Sequence, residues 1–366
     1  MASFIVFFLL FFLPFIIAPF GVTQFETPKV VFAEIAIIIL FLVLLFSNKI
    51  SFRNHTNQIV IYCSILIVTA IDFFFLKTPL SFFGNAFRMQ GIFLLWMLLL
   101  FSFLSSRQEH RLFEKIPWWV YSILLYAEVL ITFCLPLNAS HRYVGTLGEP
   151  NAMAAFAIFL WPFGWFAVRN NKSEILSKVL LLLPVCILLY LSGSRSGMIA
   201  FGIEVGYIVL QKYIPSLKKT VWICVILYFL SYLFPFFEHT PYENRVEVWQ
   251  SAFYAGVINP GLGQGFGNTE IALHNAAAGL SVPVQYYYVD SSHNIFLDWW
   301  VQGGVIGVSL LVLLVSNAFI SFEKQQNKRE LVLLFGMLIV LSFNPASIVG
   351  LLGFWWILGR SFSFEK

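Results

Sequence analysis

Three polar constellations stand out in a chain that has few polar residues to spare. The first is S-H-N-I-F-L-D, in which His293 and Asn294 stand at the mouth of an apolar segment and Asp298 lies inside it. A histidine serves near neutral pH as a proton acceptor for a hydroxyl, and a neighbouring amide and carboxylate can orient it or a substrate. Asp298 lies about 7.5 Å further along a helix axis, so direct contact with His293 is left open. The second is S-G-S-R-S-G, Ser192 to Gly197, a turn of small residues around one arginine, Arg195. The third is R-V-E-V-W, which puts Arg245 on the first turn of an amphipathic stretch. Arginine's planar fork suits phosphate oxygens, so Arg195 and Arg245, with Arg142 nearby by chain position, are candidates to meet an anionic group. Snorkelling to lipid phosphates is the competing reading of an arginine at a helix end.

Other stretches are less decided. Glu149-Pro150-Asn151 is a turn and a helix start, and Asn151 there serves either an anionic headgroup or an ordinary cap. Tyr286, Tyr287 and Tyr288 suit a membrane–water boundary and equally a platform for sugar rings. Asn259 to Asn268 reads N-P-G-L-G-Q-G-F-G-N with no strand before it. It is therefore a backbone that admits a close approach by a ligand or a loop, not a dinucleotide fingerprint. Gly303 and Gly307 form a G-x-x-x-G pair on which another helix can pack closely.

The elements that must position these groups are membrane helices. The 366 residues are 59% hydrophobic and 11% charged, more apolar surface than a soluble core of this size hides. Apolar runs of membrane-spanning length recur about twelve times, at 4–20, 28–47, 58–76, 89–104, 117–136, 151–168, 175–193, 196–214, 220–237, 294–320, 331–343 and 344–362. The expected fold is an all-α, polytopic integral membrane protein of one membrane domain, 1–366. One long extracytoplasmic segment, 238–293, lies between spans nine and ten. The first span lacks a basic n-region and a small-residue cleavage site and reads as a retained helix.

Alternating loops divide the 22 Lys and Arg into sixteen on one side and six on the other, the six being Lys29, Lys77, Arg88, Arg142, Arg195 and Arg245. The basic side faces the cytoplasm, so both termini are cytoplasmic and the 238–293 segment lies outside. The net charge of +4 is thus a topology signal, and no nucleic-acid partner is implied. Cys63, Cys134, Cys186 and Cys224 fall in spans without metal spacing and read as small buried hydrophobes. Asp72, near Lys77 and Arg88 in the chain, reads as one partner of a structural ion pair. No D-x-D metal motif occurs in the outer loops, and neither a metal nor a cofactor is called for.

The order of these motifs resembles the O-antigen ligase and O-antigen polymerase superfamily, which includes bacterial O-linked oligosaccharyltransferases. It runs G-E-P-N-A, S-R-S-G, R-x-x-x-W, N-P-x-x-G-x-G, then H-N-x-x-L followed by G-G-x-x-G, between Gly145 and Gly307. The resemblance implies a metal-independent glycosyltransferase in the bacterial inner membrane, with its active site on the outer face. The donor would be a polyprenyl-diphosphate-linked glycan, and the acceptor a saccharide, lipid A-core or a protein. Carried over by motif, Arg195, Arg245 and His293 are its catalytic positions. Arg142, Asn151, Asn294, Asp298 and Tyr287 are the expected substrate contacts. A ligase-like role in lipopolysaccharide or surface polysaccharide assembly leads, with polymerase and protein glycosylase as alternatives. A lipid-linked glycan flippase is the competing class, but no internal repeat supports it.

Overall fold

The computed structural model describes residues 1–47, 56–107, 113, 115–138, 141–168, 174–214, 216–233, 245–280 and 289–363. Among these the regular structure is helical: α1 (Ala2–Phe11), α2 (Glu26–Phe46), α3 (Thr56–Phe75), α4 (Ile92–Ser105), α5 (Trp118–Cys134), α6 (Pro150–Ala167), α7 (Glu174–Ser192), α8 (Arg195–Tyr213), α9 (Leu217–Ser231), α10 (Arg245–Ile258), α11 (Thr269–Gly279), α12 (Ile295–Lys324), α13 (Lys328–Phe343) and α14 (Ile348–Ser361). The protein is a helical membrane protein. By length and composition α2, α3, α7 and α12 are long and apolar enough to cross a bilayer, and α1, α4, α5, α9 and α14 are shorter apolar helices.

Each expected apolar segment is helical over much of its length, with departures where the chemistry demands them. The first, 4–20, does not stay one helix. α1 ends at Phe11 and a 3₁₀ turn, Leu13–Phe15, follows, because Pro14 has no N–H for the carbonyl four residues back. Asn344-Pro345 breaks the last apolar stretch into α13 and α14, for the same reason. The 238–293 segment contributes two helices. α10 buries the stripe Val248, Ser251, Ala252 and Ala255, as its spacing predicts, whereas α11 had no apolar periodicity strong enough to announce it.

The bundle is built around α6, α13 and α14, whose described faces are buried almost all round. Helices apolar on every side belong at the centre. α13 packs on α8 and α6, and α14 on α4. Small residues set the closest approaches. A Cβ on Gly336 would lie 2.0 Å from Glu204 Oε1, so only glycine lets α13 close on the α8 carboxyl that Trp161 also bonds at 2.5 Å.

Two expectations about single residues do not hold. Cys63, Cys134 and Cys186 are exposed and only Cys224 is buried. On helices with apolar outer faces the first three are therefore surface hydrophobes. Asp72 is buried, and among the described residues neither of its carboxylate oxygens has a hydrogen-bond partner. Arg88 pairs elsewhere, because its loop carries the guanidinium toward the E-P-N and H-N segments.

Candidate functional site

Every α12 feature near His293 follows from a helix that must start sharply. Asn294 is its N-cap, its Oδ1 accepting from Phe296 N at 3.0 Å and Leu297 N at 3.2 Å. That satisfies two of the donors a helix start leaves unpaired. Asn294 Nδ2 donates to Tyr232 Oη at 3.4 Å. Asp298, one turn in, folds back on the preceding turn. Its Oδ1 accepts from Ser292 N at 2.7 Å and its Oδ2 from Ser291 Oγ at 3.2 Å. Ser291 Oγ in turn accepts from His293 N at 2.9 Å. His293 is held with φ +57°, a conformation uncommon for a residue with a Cβ. The carboxylate that the helix spacing set about 7.5 Å away thus fixes the backbone turn on which the imidazole stands.

The second cluster gathers around the α7–α8 turn. Arg142 Nε donates to Ser192 O at 2.6 Å and its Nη2 to Asn151 Oδ1 at 3.2 Å. Arg142, Asn151 and the turn before Arg195 therefore form one unit, although they come from three segments. Gly193 takes φ +56°, which lets α7 end and α8 begin within two residues. Ser194 caps α8 by accepting from Gly197 N at 3.3 Å. Arg195 is the first residue of α8 and is exposed; Arg245 is the first residue of α10 and is half-buried. Tyr287 lies outside the described residues.

The glycine-rich stretch is a structural insert. α12 is interrupted at Gly304, with φ +58° and ψ −153°, and residues 260–265 fill the break. Val305 N donates to Pro260 O at 2.8 Å and Ile306 N to Gly261 O at 3.4 Å. In the other direction Gln264 N donates to Val301 O at 2.7 Å and Gly265 N to Gln302 O at 3.0 Å. Breaking a helix frees both donors and acceptors, and one loop supplies partners for both sets. A Cβ on Gly304 would stand 2.6 Å from Pro260 O and Gly261 O, and one on Gly263 2.6 Å from Val301 O. This is why G-x-G-x-G and G-G occur together.

Sequence reasoning did not find the residues that join the two clusters. Arg88 Nε donates to Asp290 Oδ2 at 2.5 Å and its Nη1 to Glu149 Oε2 at 3.4 Å. Burial works against the guanidinium's charge, but Glu149, Asp290 and Glu26 outweigh it and raise Arg88 above its ordinary range. On the other side Asn344 Nδ2 donates to Ser196 Oγ at 2.6 Å, tying the start of α8 to the α13–α14 break. Lys29, counted by charge as an outer-loop cation, is fully buried and donates to Thr146 O at 2.8 Å. The amide and hydroxyl of Thr146 bond Glu128 at 2.9 and 2.7 Å. The signal for such pairs lies in isolated charges of short apolar loops, not in any local spacing.

A cavity of about 1090 Å³ lies between α9, α10, α12 and α13, with an overwhelmingly apolar wall that includes Tyr228, Trp249, Phe296, Phe319 and Phe335. Asn294 and Val246, the neighbours of His293 and Arg245 in the chain, also line it.

No curated protein matches the chain. The family model described as O-Antigen ligase matches residues 151–312, the stretch that carries Asn151, Arg195, Arg245, the glycine insert and His293-Asn294. Over these residues the chain is similar to the O-antigen ligase family, a glycosyltransferase-like enzyme family.

Proposed function

We propose that the protein transfers a glycan from a polyprenyl-diphosphate donor to an acceptor hydroxyl at the outer face of the bacterial inner membrane, in the manner of an O-antigen ligase. The observation that carries this reading is the apolar cavity bordered by Asn294 and Val246. A water-soluble sugar nucleotide has no use for a long apolar wall beside the H-N turn; a polyprenyl chain does.

In this reading the donor's chain lies along the cavity and its diphosphate meets Arg195 and Arg245. The acceptor oxygen attacks the anomeric carbon, forming the new glycosidic bond. The bond from that carbon to the diphosphate oxygen breaks, and its electron pair leaves on the polyprenyl diphosphate. The proton of the acceptor hydroxyl goes to His293. The arginines stabilise the charge that grows on the leaving group, the role a divalent ion plays in other transferases. Arg142 and Asn151 brace the Arg195 turn and border the donor headgroup, and Asn294 and Asp298 hold the His293 turn. Tyr287 is a candidate for contact with sugar rings. The twelve-span count rests on the apolar runs, and the orientation, with cytoplasmic termini and residues 238–293 outside, on the distribution of basic residues. The acceptor is a lipid A-core or another surface saccharide.

The cavity gives a direct test. Ser316 lines it, and Ser316→Trp fills part of it without touching the H-N turn. Transfer from a polyprenyl-linked donor should then show a donor KM raised about 10-fold or more, while a donor with a short prenyl chain is much less affected. Equal loss with both donors, or no loss with either, contradicts a prenyl site there.

A further inference from the structure

We infer that Arg88 is a positioning residue, the clamp that holds the Arg195 and His293 halves of the site in register. In the transfer reaction this role rests on the function proposed above; as a structural coupling it stands on its own.

Three polar connections converge on one side chain of the 76–91 loop, and a fourth is made by its backbone amide. Arg88 is 8% exposed. Its Nε holds Asp290, three residues before His293. Its Nη1 reaches Glu149, the residue that precedes α6 and stands two before Asn151, and also Ala346 O at 3.4 Å. Its own amide donates to Asn85 Oδ1 at 2.8 Å, which closes the loop beneath it. Gln90 Nε2 adds a second donor to Ala346 O at 2.5 Å.

Each of these partners leads to one half of the site. Glu149 opens the helix start where Asn151 meets Arg142, and Arg142 holds the turn before Arg195. Ala346 belongs to the α13–α14 break, whose Asn344 holds Ser196. Asp290 leads to Ser291, which Asp298 and the His293 amide share. Arg88 thus pairs with both the segment before α6 and the segment before α12. The fork of an arginine can bridge two carboxylates held apart, whereas a single ammonium meets them as a point charge.

Arg88 is not a donor-binding arginine. Its guanidinium is buried and engaged by two carboxylates, so an incoming diphosphate would meet a site already neutralised. Its loss should therefore act on the alignment of the two reacting partners more than on the affinity for either.

The test uses the purified full-length protein. Amide hydrogen exchange of R88Q should show faster exchange in three separate segments, 146–151, 289–294 and 345–350, with the centres of α6, α13 and α14 as protected as in wild type. Each single-arm variant should release its own segment, D290N freeing 289–294 and E149Q freeing 146–151. These two keep the test intact if R88Q does not fold. Transfer from the lipid-linked glycan of the host membranes should lose about 10–100-fold in kcat in R88Q, with donor KM within about 3-fold. R88K should recover part of this loss. Faster exchange confined to 85–91, or spread evenly over all helices, overturns the clamp, as does unchanged kcat in a folded R88Q. A wild-type protein that transfers nothing removes the proposed function but leaves the exchange result to decide the coupling.

Discussion

Arg142 and Ser192 are joined by a 2.6 Å bond from the guanidinium Nε to the last carbonyl of α7. The same guanidinium reaches Asn151. Two of its edges are thus engaged in holding the turn that presents Arg195.

It follows that Arg142→Lys, which keeps the charge but cannot serve both partners, should disturb Arg195 by displacement. We expect transfer to fall about 10–100-fold, and Asn151→Ala to cause part of the same loss. Because both act through one contact network, the double variant should lose less than the sum of the two in free energy. Strictly additive effects, measured in a double-mutant cycle on kcat/KM, would argue that Arg142 and Asn151 work separately.

Arg195 and Arg245 each begin a helix, and the proposed role for both is the diphosphate. Lysine should replace neither well. Arg→Lys should weaken donor use, and Arg→Ala should cost about 10²–10³-fold in transfer, the range seen when one donor to a developing charge is removed. Steady-state kinetics at varied donor concentration checks this; full activity in either lysine variant would favour a simple lipid-snorkelling arginine.

The insert at Gly304 predicts an effect on folding. Gly304→Ala places a Cβ against Pro260 O and Gly261 O, at a φ and ψ that side chains do not adopt. We expect a loss of about 1–3 kcal/mol, read as a lower Tm in detergent. Gly206→Ala, where a Cβ meets nothing within 4 Å, should be neutral or stabilising by up to about 1 kcal/mol. Equal Tm shifts in the two variants would mean the interruption is not a fixed part of the fold.

Much of this architecture was legible because membrane helices announce themselves locally. The apolar segments, the α10 stripe and the sharp start at Asn294 all depend on residues within a few turns of one another. The glycine spacing was legible as a demand for close approach, but its partner was not, since nothing local says that 260–265 must fill a break forty residues later. Charge pairing was the least legible. Proximity in the chain suggested Asp72 for Arg88, while the fold joins Arg88 to Asp290 across 202 positions. Short loops between helices bring distant segments to one end of a bundle, and a pairwise spacing rule has no access to that geometry. The cysteines were misjudged for a related reason: in a bilayer an apolar residue is as much at home on the outside as in the core.

The central claim is that this chain moves a lipid-linked glycan with His293 acting on the acceptor. The most direct measurement is transfer by the purified protein, alone in detergent or proteoliposomes, from a polyprenyl-diphosphate-linked glycan to an acceptor, with wild type and His293→Ala run side by side. The account predicts transfer by wild type, and in a monodisperse His293→Ala protein a kcat lower by about 10²–10⁴-fold with donor binding retained. A folded His293→Ala protein that turns over like wild type would contradict it.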